Sequence, residues 1–166
     1  MTEIKSGRWT AQIEGDFVVF LIGSRIDFLH PIRSIRDLGE LGGLNPGQSM
    51  GKMLAYLMRH PEKGLLAYEM GLPTIVQYWR SFDHLEAFAK NEDDPHLHAW
   101  RNFWRRVAKS GRSGIWHETY LVRAGEYENI YGNMPPHGLG KAGRLVPATG
   151  DSTARNRIRA GTRTTN

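Results

Sequence analysis

The chain has no cysteine among its 166 residues. Disulfides and thiolate metal centres are therefore excluded, and a transition metal could be held only by histidine and carboxylate. Long apolar runs are also missing. The longest, Phe17 to Ile22, has the length of a strand and falls far short of the ~20 residues of a membrane span. The opening MTEIKSGRWTAQIEGD carries no apolar signal core. There is no internal repeat and no Rossmann fingerprint. The glycines of Gly39-Glu40-Leu41-Gly42-Gly43-Leu44 lack the Gly-Lys-Ser/Thr ending that a phosphate loop needs. A cytoplasmic protein without a membrane partner is the expectation.

One charge imbalance needs placing before it is read. The net charge is +5, but from Arg144 onward there are five arginines and a single aspartate, so +4 of it sits in the last stretch. The body is almost neutral and carries no helix-turn-helix, zinc-finger or RNA-recognition signature, so nucleic acid is not an expected partner. Residues 149–166 offer almost nothing to bury except Ile158 and read as a disordered basic tail behind a folded domain spanning 1–148.

What is present is an alternation of short strands and amphipathic helices. Phe17-Val18-Val19-Phe20-Leu21-Ile22 is apolar on both faces, which implies a sheet covered on both sides. Met50, Met53, Leu54, Leu57 and Met58 recur at helical spacing within Gln48–His60, and Pro61 ends that helix. A short helix is expected around Ile32 to Leu41. Two strands, Leu65–Met70 and Thr74–Trp79, flank the turn Gly71-Leu72-Pro73. Ser81 caps a helix through Leu85 and Phe88. Pro95 opens another that runs to about Lys109, with Leu97, Trp100, Trp104, Val107 and Ala108 as its expected core stripe. The intervening Glu92-Asp93-Asp94 reads as a solvated turn. A fourth strand covers Ile115–Val122. The order is β-α-β-β-α-β, an α+β, ferredoxin-like unit. Its two helices cover one sheet face, and a second copy stacked on the other would complete a dimeric α/β barrel.

Tyr78-Trp79-Arg80-Ser81-Phe82-Asp83-His84-Leu85-Glu86-Ala87-Phe88 resembles the strand, Trp, Ser, helix signature of the antibiotic-biosynthesis-monooxygenase superfamily. Gly125-Glu126-Tyr127-Glu128-Asn129-Ile130-Tyr131-Gly132-Asn133-Met134-Pro135-Pro136 is similar to the closing motif of the monooxygenase-like family that includes the small monooxygenase of fumagillin biosynthesis. The resemblance runs from about Arg8 to Ala148. It implies a homodimer with one pocket per subunit, between sheet and helices, and either cofactor-free oxygenation of a small apolar or aromatic molecule or the binding of haem b.

Histidine is the main chemical resource. His96 and His98 lie on opposite flanks of the helix opened by Pro95, His96 beside Phe103 and His98 near Arg101, Asn102 and Arg105. The resemblance to haem-degrading monooxygenases puts an axial histidine nineteen positions after the tryptophan that ends the third strand, which is His98 counted from Trp79. Arg101 and Arg105 would then pair with the propionates. Phe88 stands where those enzymes carry a tryptophan, and their first-strand asparagine has no counterpart, which weighs against ring cleavage. Alternation in the fourth strand places His117 with Ile115, Thr119 and Leu121, as a candidate general base for a phenol or enol. Trp79, Phe88, Trp100, Trp116 and Tyr131 are candidates to contact a flat substrate. Each also has a plain reading as core. The segment Tyr127–Gly140 could cross the pocket mouth, cross the partner, or serve as a packing arm. Three functions therefore stay open: a cofactor-free monooxygenase, a haem protein on His98, and a binding module without catalysis.

Overall fold

The doubly apolar run becomes the first six residues of a nine-residue strand, and the rest of the main sheet assembles on it. The structure is a computed structural model that describes residues 3–38, 50–71, 74–107, 111–148 and 153–163. In chain order it contains β1 (Lys5–Gln12), β2 (Phe17–Arg25), α1 (Pro31–Leu38), α2 (Met50–Arg59), β3 (Leu65–Met70), β4 (Thr74–Trp79), α3 (Phe82–Lys90), α4 (Pro95–Val107), β5 (Gly114–Val122), β6 (Tyr131–Met134), the single turn α5 (Leu139–Ala142), β7 (Arg144–Pro147) and α6 (Ala154–Arg163). The glycine-rich stretch 39–44, the first residues of the helix expected from Gln48, Leu72-Pro73 and Ala108 lie outside the described residues.

The four-stranded antiparallel sheet has the order β3-β4-β2-β5. This is the order of the ferredoxin-like unit, with the first and third of its strands in the centre. Register is set by burial. Val18, Phe20 and Ile22 face the helices, opposite Trp79, Gln77 and Ile75 on β4 and Leu121, Thr119 and His117 on β5. A slip of one residue would turn this whole set outward. Val18, Leu54, Leu57, Leu65, Trp79, Leu85 and Phe88 close into one core beneath α2 and α3, and Leu38, Phe103 and Val107 form a second beneath α1 and α4.

Local chemistry explains the boundaries. After Pro61 a short 3-10 turn ends at Gly64, whose φ of 89° belongs to the left-handed region and whose missing Cβ would lie 2.5 Å from His84. Ser81 caps α3, its Oγ accepting from the His84 amide at 3.3 Å. Asp94, expected in a solvated turn, is instead 2% exposed. It accepts from the Tyr56 hydroxyl at 2.8 Å and pairs with Lys63 at 2.7 Å, so its charge is compensated where it is buried. The α4 stripe is also rotated from expectation. Ala99, Phe103 and Val107 are the buried residues, while Trp104 is 51% exposed. The small Ala99 lets the helix approach its neighbours more closely than a face built on Trp104 would.

A second, three-stranded sheet of order β6-β1-β7 has no counterpart in the sequence reading. The Tyr-Asn-Met-Pro-Pro segment builds it. Asn129 Oδ1 accepts from the Ala11 amide at 2.6 Å and its Nδ2 donates to the Ala11 carbonyl at 3.0 Å, so a side chain takes the place of a strand residue. Tyr127 Oη accepts from the Ile13 amide at 2.7 Å, and its ring meets Phe17 edge-on at 5.2 Å. The described contacts of this segment are those of a packing arm.

The arm is fastened to β3 at Glu69, which accepts from the Gly138 amide at 2.6 Å and pairs with Lys141 at 2.9 Å and His137 at 3.1 Å. Burial pushes the Glu69 carboxyl up, but the Gly138 amide, Lys141 and the His137 charge together outweigh it and hold the group below its ordinary value of 4.5. A depressed carboxylate stabilises the fold above the unfolded value, and that contribution is lost as pH falls through the folded value. Glu69→Gln is expected to cost about 1–2 kcal/mol at neutral pH. In urea melts the gap to the unaltered protein should close as the pH is taken well below 4.5.

Residues 154–163, expected as part of a disordered tail, form α6. Thr153 Oγ1 accepts from the Asn156 amide at its start, and the Arg157 guanidinium donates to Glu128 from Nε at 2.6 Å. An N-terminal cap and an ion pair supply what the sparse apolar content of this segment does not.

Candidate functional site

Between the helix-facing side of the four-stranded sheet and helices α2, α3 and α4 lies a cavity of about 300 Å³. Its walls follow from the register above. Phe20 and Ile22 come from β2, Gln77 and Trp79 from β4, and His117 and Thr119 from β5. Met50, Met53, Leu54 and Leu57 come from α2, Phe82, Leu85, Phe88 and Ala89 with the charged Glu86 and Lys90 from α3, and His96 and Trp100 from α4. A mostly apolar lining with a few convergent polar groups is the form of a small-molecule site. A wider groove of about 820 Å³ on the β1 side is lined by Glu14, Asp16, Arg80, Arg144 and exposed loop backbone. It has neither the apolar enclosure nor a histidine.

Two histidines reach the first cavity from opposite walls. His96 stands at the start of α4, between the rings of Phe88 at 5.7 Å and Trp100 at 6.2 Å. Its Nδ1 lies 3.3 Å from the Ala89 carbonyl. A carbonyl can only accept, so Nδ1 carries the proton of the neutral ring and Nε2 is left with its lone pair. Burial depresses the His96 pKa from its ordinary 6.5; the Ala89 carbonyl opposes this and the His117 charge adds to it. The net direction is down, so at neutral pH the ring is an unprotonated base. His117 faces it from β5, its ring 5.4 Å from Phe20.

Of the other polar lining residues, Glu86, Lys90, Thr119 and Gln77, only Gln77 is buried, at 4% exposed, and its Oε1 accepts from Trp79 Nε1 at 2.9 Å. Among the described residues no group of three or more acids and histidines is arranged to hold a metal ion. No helix in them is long and apolar enough to cross a membrane.

The residues singled out in the sequence divide between the cavity and elsewhere. Trp79, Phe88, Trp100 and His117 line it. Trp116 is on the opposite sheet face, its indole packed over Gly23, where a Cβ would come within 2.6 Å of Nε1. Tyr131 belongs to the second sheet, and its hydroxyl accepts from the Gly140 amide at 2.9 Å. His98 is exposed and is not part of the cavity wall. Arg101 is drawn to Glu92 at 3.2 Å, and Arg105 donates to the Asn102 side chain. Haem ligated through His98, with those arginines on its propionates, does not fit this arrangement. The sequence reading passed over His96 and Gln77 as site residues. For Gln77 there was a signal: a lone amide between Ile75 and Trp79 on the inward face of a strand.

Comparison with known proteins adds a lineage to this geometry. The sequence profile of the family described as monooxygenase af470-like matches residues 17–139. A curated relative, Monooxygenase af470 of Aspergillus fumigatus, is 28% identical over 175 residues, covering 92% of this chain and 60% of the relative. The chain thus spans about 60% of the length of the relative it matches. The matched segment contains β2 through β5 and every residue of the cavity wall.

Proposed function

The chain belongs to the monooxygenase af470-like family, and on that footing we propose that it is a small monooxygenase that oxidises an apolar or aromatic metabolite inside the 300 Å³ cavity. The observation that carries this reading is a half-buried, unprotonated His96 in a mostly apolar chamber. A C–H or O–H next to a carbonyl or an aromatic ring gives its proton to His96 Nε2. The resulting enolate or phenolate passes electrons to dioxygen, the oxidant. At an activated methylene a C–O bond forms, the O–O bond breaks, and both hydrogens leave with one oxygen atom as water; the other oxygen stays as a carbonyl. Substrate and dioxygen thus balance to ketone and water. The apolar wall supports the sequence by excluding water from the carbanion, and His117, across the cavity, is placed to pass a proton.

Oxygen uptake on a panel of cyclic ketones and phenols, using isotopically labelled dioxygen, tests the reaction. One labelled atom in the product and one in water is the expected result. Unlabelled product, or no uptake with any compound that binds, would contradict it.

The proposal also takes the protein to be a cytoplasmic homodimer with a folded domain over 1–148. Val19, Leu21 and Val76 share the sheet face turned away from the helices, with Trp116 40% and Tyr120 51% exposed beside them. A second copy stacked there would remove this apolar surface from water. Light scattering at micromolar concentration is expected to give twice the 18.9 kDa chain mass; a monomer would remove the barrel from the account.

A further inference from the structure

The strongest unassigned feature of the cavity is the amide of Gln77. An indole N–H can only donate, so the 2.9 Å contact from Trp79 Nε1 fixes which end of the amide is which. Oxygen faces Trp79, and the NH₂ group is left over. That group has no acceptor among the described residues, although Gln77 is 4% exposed and lines the cavity. Trp79 is itself 1% exposed and packed on Phe88 with ring centroids 5.9 Å apart. The amide therefore cannot flip without orphaning a buried indole. A locked pair of N–H donors in an apolar chamber is incomplete until something in the chamber accepts from it.

We propose that Gln77 is the oxygen-recognising residue of this cavity, donating from its amide nitrogen to the carbonyl or enolate oxygen of an otherwise apolar ketone. The inference rests on the cavity being the substrate site, as argued above, and narrows the substrate class to molecules with an acceptor oxygen that reaches β4. Gln77 binds the ground-state carbonyl and holds the enolate more strongly as charge gathers on that oxygen. His96, on the opposite wall, takes the proton. Trp79 is then a positioning residue, acting on the ligand through the amide it orients.

Two bicyclic probes of the same shape separate oxygen recognition from simple cavity filling: tetralone, which has a ring ketone, and tetralin, which has none. Binding is read by quenching of tryptophan fluorescence, since Trp79 and Trp100 line the cavity. In Gln77→Met the ratio of tetralone to tetralin affinity should fall about tenfold, the worth of one hydrogen bond whose carbonyl acceptor is left unpaired, while tetralin still binds. Gln77→Met strands the Trp79 N–H, so the double variant Gln77→Met/Trp79→Phe, which removes both partners, is the control for folding and should show the same loss. Trp79→Phe alone keeps the donor but frees the amide to flip, so the preference should fall by less than in Gln77→Met. In the unaltered protein the carbonyl stretch of bound tetralone should lie below its position in dry hydrocarbon. An unchanged affinity ratio in both Gln77 variants, with tetralin still bound, would overturn the role of Gln77 and leave the cavity standing as a ligand site. Failure of both probes to bind the unaltered protein would overturn the cavity itself, and this inference with it.

Discussion

His96→Ala is expected to lower turnover by about 10²–10⁴-fold, the contribution of a positioned general base, while His98→Ala leaves activity unchanged. The two histidines are two residues apart on one helix, yet α4 turns one into the cavity and the other to solvent. The Ala89 carbonyl at 3.3 Å holds the His96 ring in one tautomer, and Phe88 and Trp100 hold it in one orientation. Removing the ring removes the less exposed of the two imidazoles on the chamber wall. His117 is too exposed to replace it at the same position. The pH profile carries the same signature. Burial keeps the His96 pKa below 6.5, so the active, neutral ring persists as pH falls past that value. The acid limb of kcat/KM should lie below 6.5 in the unaltered protein and disappear in His96→Ala. A limb centred above 6.5 would show that a different group titrates.

Trp79→Ala is expected to have the largest effect on stability, about 3–5 kcal/mol. Trp79 is 1% exposed, ends β4, and packs with Val18, Leu54, Leu57 and Leu85 in the main core as well as on Phe88. Its removal leaves a cavity where β2, β4 and α3 meet and strips Gln77 Oε1 of its donor. Against a domain stability of roughly 5–15 kcal/mol, that is a large share. In a chain of this length the melting temperature should fall by about 2–4 °C for each kcal/mol lost, read by calorimetry. Trp116→Ala, on the half-open sheet face, should cost far less in the monomer and act mainly on self-association.

The ferredoxin-like unit was legible because its signals are local. The doubly apolar run of β2, the methionine and leucine stripe of α2, Ser81 as a cap and Pro95 as a helix start each act within a few residues, and each lands where expected apart from Met58, which is 48% exposed. The second sheet was not legible, because its pairing joins residues more than a hundred positions apart and is held by the side chains of Asn129 and Tyr127 rather than by an apolar pattern. The site was half legible for a related reason. Alternation grouped His117 with Thr119 on the cavity-lining face of β5, since a strand offers only two. A helix offers a continuous range of phases, and the bulk of Trp104 drew the expected stripe away from Ala99 and Phe103. That rotation is what turns His96 rather than His98 toward the cavity. A register counted from Trp79 along the chain carries no information about which way α4 is turned.

The central claim is that substrate binds between the sheet and α4, against His96 and His117. Proton–nitrogen correlation spectra of the imidazole side chains, recorded while tetralone is titrated into the unaltered protein, locate the ligand directly. The His96 and His117 ring signals should move together with occupancy, and the His98 signal should stay where it is. Movement of His98 with His96 and His117 unchanged would place the ligand on the other side of α4 and contradict the account.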